Sequence, residues 1–343
     1  MKIRENKNTI CGFFPLSWFL VFLIFVCGCA HLENEDRSAA IARLQQIKNK
    51  YAPDDHLAIF KVAAVPDRKN LILRGEVDNS AAKKEILHSF ASFRPRIIDQ
   101  ISVLPSRNLG EQLWGIASVS VANLRENPAP SAELGTQILM GNLLRLWKKM
   151  DGWYYAQTAD QYLGWIENDS FIPCSKERAE AWANSPDQLI VTELEDRVRQ
   201  KPDAKTFPIS DVVAGVLLKK IGSEGDWFQV ELPDGRHGYL KKSSAMNVAE
   251  WKKTVVASPE HIEEIARSLL GVPYLWGANS TKAMDCSGFT KTVFLLNGID
   301  LNRNASHQAK QGREVSLQDD FAHLQKGDLL FFGRKKTGDR PET

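Results

Sequence analysis

The sequence predicts a multidomain fold class, in which an α+β unit, two small β-barrels and a second α+β domain follow one another. Three observations predict this order. Helix and strand patterns alternate before residue 113, an internal duplication occupies residues 113–248, and a helix that begins at a cysteine lies beyond residue 257. A chain of 343 residues is long enough for two or three domains. Its 43% hydrophobic and 25% charged residues are an ordinary balance for a globular protein.

Residues 1–28 are typical of an export signal, because a basic start precedes the apolar run Phe13 to Val26. The run is short for a bilayer span, and it ends in the residues Val26-Cys27-Gly28-Cys29. This end resembles a bacterial lipobox, which implies that cleavage makes Cys29 a lipid-modified first residue. An ordinary cleaved signal peptide is the alternative. Under the lipobox interpretation the protein is anchored to a membrane of the cell envelope, the outer membrane if the cell is Gram-negative.

Charge and cysteine content exclude two classes of protein. The formal net charge is +2, and residues 1–28 account for all of it, so no basic surface indicates a nucleic-acid partner. Two of the 5 cysteines leave with the signal, and Cys29 is assigned to lipid. Only Cys174 and Cys286 remain, which is not the disulfide framework of a small secreted domain. Nothing in the pattern calls for a metal or another cofactor.

Residues 29–112 are predicted to form a polar tether and a small α+β unit. Apolar periodicity indicates helices and strands in alternation, with Ser80 as the cap of the second helix. The predicted elements are, in chain order, a helix, two strands, a helix and a strand, over residues 38–51, 56–65, 71–77, 80–93 and 97–104. No catalytic group is apparent in this unit.

Residues 113–172 and 186–248 repeat one pattern at an offset of 74 residues, with no gap. Short strand-like runs separated by turn residues predict a small antiparallel barrel or sandwich for each copy. The copies resemble bacterial SH3-like domains. The matched positions include Arg125 with Arg199, Gly141 with Gly215, Trp153 with Trp227, and Trp165 with Tyr239. Repeated aromatic residues of this kind are expected in the core. The segments 173–188 and 249–257 are expected to be linkers.

Cys286 begins a predicted helix. Phe289, Val293 and Leu296 follow it at helical spacing, and Asp285 is a suitable N-cap. In the first turn of a helix the dipole and the unpaired N–H groups stabilise a thiolate, which is a nucleophile. A small buried apolar side chain is the alternative for a single cysteine. An amphipathic helix capped by Ser258 is predicted to precede it.

Four ordered blocks in residues 257–343 resemble the NlpC/P60 family of bacterial cell-wall cysteine peptidases. The blocks are Pro273-Tyr-Leu-Trp-Gly277, Asp285-Cys-Ser-Gly-Phe289, Leu301-Asn-Arg-Asn-Ala-Ser-His-Gln308 and Gly327-Asp-Leu-Leu-Phe-Phe332. The resemblance implies the front part of a papain-like domain that hydrolyses amide bonds in peptidoglycan stem peptides. Cys286 would be its nucleophile, and peptidoglycan-derived peptides its partners. The expected bond is the γ-D-glutamyl–diamino-acid bond of fragments with a free N-terminal L-Ala.

The resemblance also implies roles for residues around the nucleophile. Asp285 and Ser287 would contact the amino group of the substrate, and Arg303 would bind a carboxylate. Tyr274 and Trp276 would line the pocket. Capping alone is the alternative for Asp285, and core packing is the alternative for Trp276.

Two further residues are carried over from related enzymes in which the first SH3-like domain borders the active site. Glu133 and Tyr162 would help to bind the substrate amine. At the repeat offset their counterparts are Phe207 and Arg236, so both are special to the first copy. Ordinary surface positions are the alternative.

The catalytic histidine of the family is expected after Phe332, but this sequence contains none there. His307 and His323 follow Cys286, and neither lies where the family places its base. We therefore expect an incomplete, inactive peptidase domain that is loosely packed from residue 258. The alternative function is a non-catalytic SH3-like lipoprotein that binds the cell envelope. A catalytic histidine would favour the enzyme.

Overall fold

The computed structural model describes residues 37–67, 70–316, 321–335 and 341–342. The export signal and Cys29 lie outside the described residues. The described chain divides into two compact units. One comprises residues 37–53 and 60–102, and the other comprises residues 54–59 and the chain from 103 onward. No helix within the described ranges is both long and apolar enough to cross a membrane.

The first unit contains a three-stranded sheet in the order β1-β2-β3 and two helices. Its elements are α1 over residues 37–51, β1 Phe60–Asp67, β2 Asn70–Val77, α2 Ser80–Ser89 and β3 Arg96–Val103. Each of α1, β2 and α2 buries apolar side chains, among them Leu44, Leu73 and Ile86.

The alternation of helix and strand in this unit is confirmed, but the start of the first strand, the cap of the second helix and the end of that helix, Ser89 instead of Phe93, differ from the expectation. The first strand begins at Phe60, because residues 54–59 belong to the second unit. The cap of α2 is Asn79, whose extended backbone lets its side chain accept from the Ala81 N–H at 2.8 Å. Ser80 is therefore the first residue of the helix.

The second unit contains two seven-stranded antiparallel sheets with the same topology. The first sheet consists of β4 Trp114–Ala117, β5 Val121–Arg125, β6 Leu134–Leu139, β7 Leu143–Met150, β8 Trp153–Gln157, β9 Leu163–Glu167 and β10 Phe171–Cys174. The second consists of β11 Gln188–Val191, β12 Glu195–Arg199, β13 Pro208–Val213, β14 Leu217–Glu224, β15 Trp227–Glu231, β16 His237–Lys241 and β17 Ala245–Asn247. The strand orders β10-β4-β7-β8-β9-β5-β6 and β17-β11-β14-β15-β16-β12-β13 correspond strand by strand. The duplication read from the sequence is therefore a duplication of structure.

The two sheets differ from the expectation in their closure and in the burial of their aromatic side chains. No pairing among the described strands joins the edge strands β10 and β6, or β17 and β13, so neither sheet is a closed barrel. Trp153 and Trp165 are buried as expected, whereas Trp227 and Tyr239 are only half-buried. The core of the second sheet is aliphatic instead, and its buried side chains include Val198, Val212, Val230 and Leu240.

Each of the two segments expected to be linkers contains a helix. The helix α3, Lys176–Ala183, follows a Ser175 cap, and α4, Val248–Thr254, follows an Asn247 cap. Two short 3-10 helices cover Arg107–Leu109 and Lys242–Ser244.

The C-terminal part of the second unit is a helical layer next to the second sheet. It consists of α5 Pro259–Ser268, β18 Asn279–Ser280, β19 Ala283–Met284, α6 Cys286–Leu296, α7 Ala305–Gln308, β20 Arg334–Lys335 and β21 Pro341–Glu342. The buried residues Val293, Leu269 and Met284 form one cluster, against which Leu194 of the second sheet packs. Against the expectation of loose packing, α6 buries Val293 and Leu296, whereas no residue within α5 is fully buried.

Candidate active site

The start of α6 presents Cys286 at the surface. Asp285 has an extended backbone, and its Oδ1 accepts from the Gly288 N–H at 2.7 Å, which confirms the predicted cap. The Asp285 N–H donates to the Ala278 carbonyl at 2.9 Å, so the residues before the helix are also fixed. Cys286 is exposed and forms no disulfide. Its thiol is therefore accessible at the N-terminus of a helix.

A buried ion pair lies behind the nucleophile. Asp285 is 6% exposed and Arg303 is 3% exposed. The guanidinium donates from Nη2 to Asp285 Oδ2 at 2.6 Å and from Nη1 to Oδ1 at 3.1 Å, which is a bidentate arrangement. Its Nε donates to Oγ1 of Thr136 in β6 at 3.1 Å. Arg303 thus connects the nucleophile helix with the first sheet.

The polar atoms of this network largely satisfy one another. Asp285 Oδ2 also accepts from the Gly277 N–H at 2.9 Å, and the Ser287 hydroxyl lies 3.3 Å from Oδ1 and 2.9 Å from Arg303 Nη1. A carboxylate has about four lone-pair sites, and those of Asp285 are occupied by the protein itself. The sequence assigned Asp285, Ser287 and Arg303 to the substrate. In the structure these three side chains bond to one another beneath the start of α6, and their contact with substrate stays a prediction.

The exposed rim of the site is aromatic. Tyr274 is 65% exposed and Trp276 is 60% exposed, so core packing does not account for Trp276. The pKa of Tyr274 is raised, first by desolvation and then by the negative charges of Cys286 and Asp285. The indole Nε1–H of Trp276 donates to Glu133 Oε1 at 2.8 Å. The rim therefore continues onto the first sheet through Glu133.

Tyr162 lies in the turn between β8 and β9 and is 4% exposed, so it is not an ordinary surface residue. Burial raises the pKa of its phenol well above the usual value, and the negative charge of Glu126 acts in the same direction. A Cβ atom on Gly135 would lie 3.3 Å from the Tyr162 hydroxyl oxygen, so this oxygen lies close to the β6 backbone. The phenol is therefore protonated and can donate or accept a hydrogen bond.

The first sheet packs directly on the loop that precedes the nucleophile. Gly277 has φ +80°, and a Cβ atom there would lie 2.0 Å from the Leu134 carbonyl oxygen. Gln137 and Asn279 exchange hydrogen bonds, since the N–H of each donates to the side-chain oxygen of the other at 2.9 and 3.1 Å. This close approach explains the glycine in the block Pro273–Gly277 and brings β6 to the site.

Two family profiles match the chain at these positions. The profile of the NlpC/P60 family matches residues 271–340, and that of the bacterial dipeptidyl-peptidase SH3 domain matches residues 124–171. This chain carries an NlpC/P60 domain and a bacterial SH3 domain. The SH3 match covers β6 to β9 of the first sheet, and the NlpC/P60 match covers α6. Cys286, Asp285 and Arg303 are thus residues of an NlpC/P60 cysteine peptidase domain.

Two dipeptidyl-peptidases and one solved structure are similar to the chain. Dipeptidyl-peptidase 6 of Lysinibacillus sphaericus is 29% identical over 226 residues, which is 63% of this chain and 80% of that protein. The γ-D-glutamyl-L-lysine dipeptidyl-peptidase of Bacillus subtilis is 38% identical over 116 residues, 34% of this chain and 36% of that protein. The crystal structure of an NlpC/P60 family protein from Bacillus cereus superposes with a TM-score of 0.56 at 21% identity. It covers 67% of this chain and 86% of that one, which shows a shared fold.

The sequence analysis missed several polar residues that organise the NlpC/P60 domain. Gln308 donates from Nε2 to the Ser287 carbonyl at 2.9 Å, and it accepts from the Thr290 hydroxyl at 2.7 Å. Its position at the end of the block Leu301–Gln308 was the available signal. Thr136 had no such signal, because an isolated threonine in a strand is common. Within the described ranges, no group of three or more His, Cys, Asp or Glu side chains could hold a metal ion.

His307 is held by a carboxylate of the segment 54–59. Its Nε2 lies 2.7 Å from Asp54 Oδ2, and the side chain is largely buried. Burial acts to raise the pKa of Asp54, but the His56 N–H and the charge of His307 outweigh this effect and the pKa is lowered. His323 is exposed. The ring of His307 is therefore engaged by Asp54.

Proposed function

We propose that the protein is a cell-wall cysteine peptidase that hydrolyses the γ-D-glutamyl–diamino-acid bond of peptidoglycan stem peptides. Its substrates would be fragments with a free N-terminal L-Ala. The observation that carries the proposal is the exposed thiol of Cys286 at the start of α6, on a rim shared with Glu133 of the SH3 domain. The name of the γ-D-glutamyl-L-lysine dipeptidyl-peptidase that is similar to the chain supports the choice of bond.

In this reaction the Cys286 thiolate attacks the γ-carbonyl carbon of D-glutamate. The C–N bond breaks, the amine of the diamino acid leaves with a proton, and a thioester remains until water hydrolyses it. The negative charge on the carbonyl oxygen would be stabilised by the N–H groups at the start of α6. Asp285 and Arg303 keep this helix start in place from below.

Recognition of the substrate amine is proposed for Glu133 and Tyr162. Glu133 is an exposed carboxylate, and Trp276 already orients one of its oxygens. Tyr162 offers a protonated phenol whose oxygen lies close to β6. An ammonium group has three donors, so a carboxylate and a phenol oxygen are suitable acceptors. Asp285 contributes indirectly, by holding the helix start.

The substitution Glu133→Gln tests this proposal, because glutamine keeps an oxygen for Trp276 and removes only the charge. We expect binding of L-Ala-γ-D-Glu-L-Lys, measured by calorimetry, to weaken by about 10- to 150-fold, the value of a charged hydrogen bond. N-acetylation of the peptide should weaken its binding to the wild-type protein by the same factor. Glu250→Gln, on the exposed face of α4, is the control and should bind normally. Equal binding of the free and the acetylated peptide would contradict the proposal.

A finer proposal concerns the catalytic base. Neither His307, which is paired with Asp54, nor the exposed His323 lies in the block where the family places its base, and neither is assigned this role. We infer that Cys286 supplies the nucleophile and that Glu133 and Tyr162 belong to the substrate site, and no base is assigned.

We also propose that the protein is a lipoprotein of the cell envelope, anchored through Cys29. The support is the sequence Val26-Cys27-Gly28-Cys29 after a basic and apolar start. Cys29→Ala should abolish both the incorporation of radiolabelled fatty acid and the retention of the protein in the membrane fraction. Cys174→Ala is the matched control. Continued labelling of the Cys29 variant would show that the anchor lies elsewhere.

A further inference from the structure

We propose that a buried ion pair between Lys291 and Asp160 positions Tyr162 beside the nucleophile helix, and thereby sets the preference for a free substrate amine. The inference rests on the proposed function of Tyr162 in binding that amine. We assign Lys291 and Asp160 no contact with the substrate. They are positioning residues. They act through the turn between β8 and β9.

Lys291 belongs to the nucleophile helix α6 and is 9% exposed. Its ammonium lies 3.1 Å from Asp160 Oδ2 and 2.7 Å from Asp300 Oδ1, and it also donates to the Leu301 carbonyl. A buried ammonium is costly unless such partners compensate for lost water. Lys291 and Cys286 share one rigid helix, so the place of the ammonium is fixed relative to the thiol.

Asp160 belongs to the turn of the SH3 domain that carries Tyr162. Its side chain is as buried as that of Lys291, and its Oδ1 accepts from the Thr158 hydroxyl. The Thr158 N–H donates to the Tyr162 carbonyl at 3.0 Å, and the Tyr162 N–H donates back to Thr158 Oγ1 at 3.2 Å. A displacement of Asp160 therefore reaches Tyr162 through Thr158.

The same turn contains a residue in an unfavourable backbone conformation. Gln161 has φ +67°, the left-handed region that residues other than glycine rarely adopt. Its carbonyl accepts from Gln157 Nε2 at 2.8 Å. A conformation of this kind persists only where the surroundings hold it. The ion pair of Lys291 is one of these constraints, so its loss should release the turn.

Removing the ammonium leaves Asp160 buried without its cation, which favours a movement of the turn towards water. The helix is less free to move, because Val293 and Leu296 are buried on the same α6. Tyr162 is therefore the residue displaced, while Cys286 stays in place.

A second lysine provides a matched control. Lys282 also joins the NlpC/P60 domain to the sheets, since its ammonium donates to Ser120 Oγ at 2.9 Å and pairs with Asp211. This pair is half exposed and does not involve the turn with Tyr162. Lys282→Met removes a comparable connection and leaves the proposed one intact.

The test compares the full chain with Lys291→Met, Lys291→Arg, Asp160→Asn and Lys282→Met. Calorimetry gives the dissociation constants of L-Ala-γ-D-Glu-L-Lys and of its N-acetylated form. The preference for the free amine should fall by about 10-fold in Lys291→Met and in Asp160→Asn, the value of one charged hydrogen bond. It should recover in Lys291→Arg and stay at the wild-type value in Lys282→Met. Alkylation of Cys286 by iodoacetamide should be unchanged in all four variants, which shows that the helix start is intact.

A wild-type preference in both Lys291→Met and Asp160→Asn overturns the inference. If Lys291→Met does not fold, Asp160→Asn decides, because it keeps the size of the side chain. A wild type that binds both peptides equally contradicts the proposed function instead. Hydrogen exchange of residues 158–162 then decides the positioning by itself. Exchange that is faster in Lys291→Met than in Lys282→Met supports it, and equal exchange overturns it.

Discussion

Asp285 performs two tasks at once, since its carboxylate caps α6 and neutralises the buried guanidinium of Arg303. We expect Asp285→Ala to lower the free energy of unfolding by about 3–5 kcal/mol, because a buried charge would lose its partner. Urea denaturation measures the loss. Asp211→Ala is the matched control at the half-exposed pair with Lys282, and its cost should be at most about 1 kcal/mol. Equal losses of unfolding free energy in the two variants would show that the burial of Arg303 does not determine the cost.

The helix α6 owes its position to a glycine in its first turn. In a typical exposed helix, a change from glycine to alanine raises the stability by about 1 kcal/mol. At Gly288, however, a Cβ atom would lie 2.1 Å from the Ala278 carbonyl oxygen. We therefore expect the opposite sign, with a loss of about 1–3 kcal/mol from overpacking. Thermal unfolding and the alkylation rate of Cys286 measure the effect. Glu264→Ala, at an exposed position of α5, should change neither quantity. A higher melting temperature for Gly288→Ala would contradict the close approach of helix and loop.

The duplicated sheets have diverged to serve different parts of the NlpC/P60 domain. The first contributes Thr136 to the network of Arg303, Glu133 to the rim and Tyr162 to the site. The second contributes Leu194, whose side chain packs on the cluster of α5 and α6 and whose carbonyl accepts from the Thr281 hydroxyl at 2.6 Å. Loss of the first sheet would therefore affect substrate binding. Loss of the second sheet would affect the packing of the helices.

For the protein as a whole we expect binding of L-Ala-γ-D-Glu-L-Lys without rapid turnover. No histidine has been assigned as the base, and a reaction that lacks its base is slower by about 10²- to 10⁴-fold. Release of lysine, followed by chromatography, measures turnover beside Cys286→Ser, His307→Ala and His323→Ala. Hydrolysis that is lost in Cys286→Ser would contradict the expectation. The histidine variant that also loses activity would then identify the base.

The sequence by itself determined the features that depend on neighbouring residues. The start of α6 at Cys286 and its Asp285 cap were predictable, because capping and helical periodicity involve residues no more than four apart. The duplication was predictable because the offset of 74 residues has no gap, and all seven strands repeat at it. Where local signals were ambiguous, as between Asn79 and Ser80, the prediction of the cap was wrong by one residue.

Which polar side chains are buried, and which partners they bind, depends on how distant segments pack. Arg303 has the charge to bind a carboxylate ligand, but the fold buries it between Asp285 and Thr136, which is 167 residues away in the chain. Lys291 and Asp160 form no recognisable motif, yet the packing of helix and turn makes them a buried pair. Burial and partner choice arise from segments far apart in sequence that exclude water together. Composition and spacing do not predict which distant segments exclude water together. The buried partners of Arg303 and Lys291 are therefore known only from the folded chain.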